Sequence, residues 1–250
     1  MSGHSHYATI HRQKEVKDAQ KGKIFSKLVR AISIAVKSGG GSDPNANYRL
    51  RMEVDQARTA NMPKESIERA IRQAQSKQEE LEEIVYEGYG PGGVAIIVEA
   101  ATDNRNRTSQ EIKNIFERGG GSLAGPGAVS FNFEPKGLIV VKKQVDKEDQ
   151  MLKMIDLGVE DMVEVDSEIE VYVKPDQTSQ IRDQFERSGF EVVSFELVNK
   201  PKTLLTIAKP SEASKILNLL DKLQEQDDVQ KVFANLDIPQ EVVDKINSGN

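Results

Sequence analysis

Apolar residues in the first third of the chain recur every three or four positions. Ile24, Phe25, Leu28, Val29, Ile32, Ala35 and Val36 share one helical face, which predicts a helix packing inward along that stripe and ending at Gly39-Gly40-Gly41. A second helix is expected from about Asn45 to Ala60. A third opens at Pro63, with Ile67, Ala70, Ile71 and Ala74 as its inner face. On one unbroken first helix, Lys14, Lys17 and Lys21 would fall on the same side as Ile24, Leu28 and Ile32. A stripe cannot be both buried and charged, so a bend is expected near Gly22.

The period changes after a polar, acidic run from Lys77 to Glu83, which reads as a link between domains. Val94 to Ala100 predicts a strand, Thr108 to Arg118 a helix with a Thr108/Glu111 capping box, and Ala128 to Phe133 a second strand. Then come a strand (Leu138 to Lys142), a helix (Lys147 to Leu157), two strands (Met162 to Val165 and Ile169 to Val173), a helix (Thr178 to Ser188) and a strand (Phe190 to Leu197). The order is βαββαβ, that of a ferredoxin-like unit. The chain closes with a strand (Thr203 to Ala208), a helix (Ser211 to Gln226) and a strand (Val229 to Ala234). With the β-α-β at 94–133 these make a second βαββαβ.

The expected fold is therefore α+β: an N-terminal all-helical domain followed by two ferredoxin-like βαββαβ domains, one inserted into the other. The boundaries fall at 1–80 for the basic helical domain, 81–135 plus 201–240 for the discontinuous domain, and 136–200 for the insert. Glu134-Pro135-Lys136-Gly137 and Asn199-Lys200-Pro201-Lys202 would be paired linkers. A single larger mixed sheet is the rival arrangement.

Composition narrows the chemistry. The 250 residues contain no cysteine, which excludes disulfides, thiolate metal sites and cysteine nucleophiles. No run of apolar residues is long enough to span a membrane and the first residues lack a secretory pattern, so the expected location is cytoplasmic, with no membrane partner. Charge is unevenly distributed: residues 1–78 hold 15 Lys/Arg against 7 Asp/Glu, the remainder 19 against 33. A basic head on an acidic body points to a polyanion partner, because neutralised phosphates release counterions while the acidic remainder limits non-specific adhesion. Two oppositely charged surfaces that dock on each other are the alternative.

Seven cations lie within 19 residues, Arg12, Lys14, Lys17, Lys21, Lys23, Lys27 and Arg30, opposed by Glu15 and Asp18. Such side chains grip phosphates without reading sequence. Arg49 and Arg51 extend the candidate nucleic-acid-binding set, with a solvated helix face as the plain alternative. His4, His6 and His11 are the only histidines. They lack a carboxylate or thiolate partner at fixed spacing, so no metal is expected, and docking contacts by His4 or stacking by Tyr7 suit them better. Gly88-Tyr89-Gly90-Pro91-Gly92-Gly93 precedes a strand and reads as a turn. Asp103-Asn104-Arg105-Asn106-Arg107 precedes a helix, where Arg105 and Arg107 could meet an anion, or where Asp103 could pair with one of them. Phe131 and Phe133 alternate on a predicted strand and are expected to pack in the core. No nucleophile, base and orienter can be assembled, so no enzyme, cofactor or small-molecule substrate is expected, and the oligomeric state stays open with a monomer plausible.

Seven motifs together carry a resemblance: Gly3-His4-Ser5, Lys21-Gly22-Lys23-Ile24-Phe25, Gly39-Gly40-Gly41, Asp43-Pro44-Asn45, Ala60-Asn61-Met62-Pro63-Lys64, Glu87 through Gly93, and Asp103-Asn104-Arg105-Asn106-Arg107-Thr108. The set is similar to that of the YebC/PmpR family, densely through residue 133. His6-Tyr7 stands where the family commonly has Lys-Trp, and Gln13 interrupts its His-Arg-Lys run. The resemblance implies a three-domain α+β protein acting as a DNA-binding transcriptional regulator. It also implies a competing role, since relatives including the mitochondrial translational activator of cytochrome c oxidase act on ribosomes and help synthesis through proline-rich stretches. Under that reading the basic head grips ribosomal RNA and Tyr89, Arg105 and Arg107 face the ribosome. Lysine meets the same phosphate charge on duplex DNA and on structured RNA, so residue types alone leave both open.

Overall fold

The computed structural model describes residues 18–76 and 81–248. Helix α1 (Asp18–Ser38) packs on α2 (Tyr48–Thr59) and α3 (Lys64–Gln75), and Ile32, Ala35, Leu50, Val54, Ile67 and Ala70 fill the space between them. Asn47 stitches the first two helices together. Its buried amide donates to the carbonyls of Ala35 and Gly41, both at 2.7 Å, and its oxygen caps the amide of Leu50. A Cβ on Gly39 would stand 2.3 Å from that oxygen, so the glycine is required for close approach.

The expected bend at Gly22 is absent, and α1 runs through it unbroken. One glycine costs a helix only about 1 kcal/mol, and the conflict that called for a bend does not arise. Ile24 and Leu28 are only half-buried; the stripe becomes fully buried at Ile32.

The second unit contains β1 (Glu82–Tyr89), β2 (Ala95–Thr102), α4 (Arg105–Arg118) and β3 (Ser122–Ala124). Past the insert it resumes with β8 (Leu205–Thr206), α7 (Pro210–Glu225), β9 (Val229–Ala234), β10 (Leu236–Asp237) and α8 (Gln240–Ser248). Its four-stranded antiparallel sheet has the order β3-β1-β2-β9, while β8 pairs with β10 in parallel. The insert comprises β4 (Phe133–Lys142), α5 (Lys147–Asp156), β5 (Asp161–Val165), β6 (Glu168–Val173), α6 (Thr178–Arg187) and β7 (Val192–Pro201). Its order β5-β6-β4-β7, every neighbour antiparallel, is that of a ferredoxin-like sheet. The architecture is thus α+β, a helical region followed by two antiparallel sheet units.

Three expectations about strands need correction. Ala128 to Phe133 is not a strand: Ser130–Asn132 form a 3-10 turn, and the extended chain begins at Phe133. Phe133 is buried as expected, but Phe131 is 64 % exposed. The stretch around Glu82 is not a linker. It forms β1, pairing residue for residue with β2 from Glu82↔Thr102 to Tyr89↔Ala95, and so fills the sheet position that the nested topology would give to Thr203–Ala208. A hairpin closed at Gly90 to Gly93 pairs local residues with little loop-closure cost, whereas the later segment must return across the whole insert. Finally, the two Pro-containing joints are not loose linkers. Phe133↔Pro201, Glu134↔Lys200 and Pro135↔Asn199 are paired, so β4 and β7 leave the second unit as one continuous ribbon.

Helices α4 and α7 cover one face of the second sheet. On the other face, one half carries a loop held over Ala95 and Ile97 by Val129 and Phe133. The other half carries the helical head, through contacts of α1 with β2 and β9. The head also leans on the insert, where Arg182 of α6 bonds Asp55 of α2 at 2.8 Å and stacks over Phe195. Among the described residues no helix is long and apolar enough to cross a membrane.

Candidate nucleic-acid interface

Three members of the basic cluster face the protein itself. Lys23 reaches the carbonyl of Glu225 and lies 3.0 Å from the carboxylate of Asp227. Lys27 donates to the carbonyl of Gln224 at 2.7 Å. Arg30 donates to the carbonyl of Asp227 and to the carboxylate of Asp228, the latter at 3.0 Å. These acceptors are the last carbonyls of α7 and the turn after it, the negative end of a helix dipole, so the clasp is electrostatically well matched. Burial, and then the neighbouring charge of Lys23, lower the Lys27 ammonium to about 8. Lys23, Lys27 and Arg30 thus have partners within the protein, as the alternative of two docked, oppositely charged surfaces describes.

Arg49 and Arg51 are likewise engaged inside the molecule. Arg49 forms a fork on Glu83, at 2.6 and 3.2 Å, and reaches Ser38. Arg51 donates to the carbonyl of Pro44 at 3.3 Å. His4, Tyr7, Arg12, Lys14 and Lys17 lie outside the described residues, as does the side chain of Lys21.

Asp228 was not singled out in the sequence, where it stands in an ordinary acidic turn. It is the node of the head–body contact. Its carboxylate, 3 % exposed, accepts from Thr108 at 2.6 Å, from Arg107 at 2.8 Å and from Arg30 at 3.0 Å. Burial opposes the charge, but these donors outweigh it and hold the carboxyl below its ordinary value. Arg107 also pairs with Asp103 at 3.0 Å, so the internal pairing of that loop prevails for Arg107, while Arg105 stays exposed. The start of α4 is capped by Asn104, which accepts from the Arg107 amide, and not by a Thr108/Glu111 box. Thr108 is buried under Asp228, and Glu111 accepts from Gln226.

A second charged junction joins all three units. Lys231 of β9 bonds Glu196 of β7 at 3.3 Å and the carbonyl of Leu197 at 2.6 Å. Burial alone would lower its ammonium, but Glu196, Glu53 and Glu99 raise it. Burial pushes up the carboxyls of Glu53 and Glu99 in turn.

At the far end of the second sheet, Tyr89 is 37 % exposed and donates from its hydroxyl to the carbonyl of Ala128 at 2.8 Å. Two residues back, the buried Glu87 accepts the amides of Gly127, Val129 and Ser130 at 2.6–2.8 Å. Those bonds overcome burial and keep its carboxyl low. They also fix the loop that presents Phe131.

An open concavity lies within the head. A groove of about 780 Å³ runs between α1 and α3, with Phe25, Ser26, Val29 and Arg30 on one wall and Met62, Ser66, Arg69, Ala70 and Gln73 on the other; Leu81 and Asp103 of the body close its end. Ser66, Arg69 and Gln73 recur at i, i+3 and i+7, so one helical line of polar groups faces the groove. Arg69 is exposed and makes no ion pair among the described residues, unlike Lys64 and Arg72 of the same helix, which flank Glu68 at 3.8 and 3.7 Å. The polar spacing was legible in the sequence. The facing wall was not.

Comparison with known proteins agrees with this architecture. Residues 5–77 match the family model described as TACO1/YebC protein N-terminal domain, and residues 81–236 that described as TACO1/YebC second and third domain. The chain is 46% identical to a "Probable transcriptional regulatory protein" of Sulfurihydrogenibium sp. over 98% of this chain and 99% of the relative. It is 45% identical to one of Dictyoglomus turgidum over 99% and 100%. A crystal structure of a conserved hypothetical protein from Aquifex aeolicus superposes with a TM-score of 0.82 at 42% identity, covering 92% of this chain and 97% of that one.

Proposed function

The chain belongs to the TACO1/YebC family, and on that footing we propose that it regulates gene expression by binding nucleic acid, as a DNA-binding transcriptional regulator and without catalysis. The names of its relatives support the regulatory part. The observation that carries the binding part is the basic run of Arg12, Lys14, Lys17 and Lys21 leading into the first helix of the head, with Arg69 exposed beside an open groove. Cations there would neutralise phosphates, while the acidic body repels indiscriminate contact. Lys23, Lys27 and Arg30 serve instead to seat the head.

The test is gel-shift titration of the full chain with duplex DNA at rising salt. Substituting Arg12, Lys14 and Lys17 together by Ala should abolish the complex and flatten its salt dependence, whereas Lys23→Ala should leave affinity within about twofold. Unchanged binding by the triple variant removes the proposal.

A second reading, an RNA-binding factor acting on ribosomes, is favoured by one feature. The outward face of α3 mixes Lys64 and Arg72 with Glu65 and Glu68, unlike a uniformly basic helix suited to a major groove. Ribosome co-sedimentation against chromatin immunoprecipitation separates the two.

A further inference from the structure

We infer that the groove between α1 and α3 takes one unpaired nucleotide of a nucleic-acid strand, its base against Phe25 and Val29 and its phosphate on Arg69. This deepens the proposed function and rests on it. The volume of about 780 Å³ lies in the range that encloses a small organic group. The lining divides in the way a nucleotide does. Phe25 and Val29, packed against the core that holds the buried Met62 and Ala70, give an apolar, partly aromatic surface against which any base can lie, because every base has a π-face. Ser66, Arg69 and Gln73 give a line of hydroxyl, guanidinium and amide, and among the described residues no hydrogen bond or ion pair occupies those three side chains. Arg30 lines the same groove, but its guanidinium is held through Nη1 by Asp228 and by the Asp227 carbonyl, so the cation offered to a phosphate there is Arg69. The single carboxylate at the rim, Asp103, is paired with Arg107 at 3.0 Å and its repulsion of a phosphate is partly cancelled.

A stacked duplex cannot place a base in such a groove without paying to unstack it, so the preferred occupant is a strand whose bases are already splayed.

The experiment uses the full chain in fluorescence anisotropy with three probes: a single-stranded oligonucleotide of about twelve residues, its duplex, and a free nucleoside monophosphate. Arg69→Ala should weaken single-strand binding by about tenfold and duplex binding by less than about twofold. Because Arg69 is exposed, the melting temperature should not move. Irradiation of the wild-type complex with a bromouridine-substituted strand should place an adduct at Phe25, which needs no variant to fold. Single-strand binding that ignores Arg69, with adducts only elsewhere, would overturn the inference and leave the proposed function standing. Absence of binding to every strand would overturn both. Arg69-dependent binding of the monophosphate that no oligonucleotide displaces would overturn the strand as occupant.

Discussion

Arg30 of the helical head and Asp228 of the body meet at 3.0 Å across the junction between two domains, and Asp228 is buried by that contact together with Arg107, Thr108 and Thr102. A carboxylate so placed organises both the start of α4 and the seat of α1. Replacing it by Asn keeps the shape but removes the charge that two guanidinium groups share. We expect Asp228→Asn to cost about 2 kcal/mol of stability at neutral pH. The folded-state pKa of Asp228 is depressed, so its contribution is complete above the unfolded value of about 3.9 and disappears as pH falls through the folded value. Urea unfolding of wild type and variant should therefore differ at pH 7 and converge in acid.

Lys27 presents the opposite sign. Its ammonium is lowered from 10.5 to about 8 in the folded protein, so the folded state loses its proton first. The penalty for holding the charge is complete below pH 8 and fades as pH rises toward 10.5, where stability relative to a neutral residue recovers. Lys27→Met loses the bond to Gln224 yet should gain about 1 kcal/mol at pH 7 and nothing near pH 10.5. Thermal melts at the two pH values decide it.

The loop over Glu87 should loosen when its acceptor is weakened. Glu87→Gln cannot serve three amide donors with a charged group, and we expect a loss of about 1–3 kcal/mol. Faster hydrogen exchange at Gly127, Val129 and Ser130 is the direct measurement. In wild type the same loosening should appear on acidification below the unfolded glutamate value of about 4.3, because the folded carboxyl sits lower and its contribution vanishes through that range.

Gly88 is required by space and not by backbone freedom. A Cβ there would lie 2.7 Å from Phe116 and 2.7 Å from the carbonyl of Ser122, against a close-packed sheet and helix. Gly88→Ala should cost about 1–3 kcal/mol. Gly93→Ala meets no atom and suffers only from its positive φ, so it should cost less, about 1 kcal/mol. Melting curves of the two variants give the order.

Local periodicity determined the elements that depend on it. The three helices of the head, the βαββαβ order of the insert and α7 with β9 were all legible, because each buries a face whose spacing is written in consecutive residues. What the tertiary structure alone decided is which partner each element and each charge finds. Lys77 to Glu83 reads as a linker and Gly88 to Gly93 as a turn, yet Glu82–Tyr89 takes an inner place in the sheet because β2 lies one tight turn away. Phe131 and Phe133 look equivalent, but a 3-10 turn sends one to solvent and the other to the core. Lys23, Lys27 and Arg30 read as a grip for phosphate, and the carbonyls of Gln224 to Asp227 occupy them from some 200 residues downstream. A basic side chain responds to whatever negative group the fold brings within a few ångströms, and sequence spacing carries no information about groups that far along the chain.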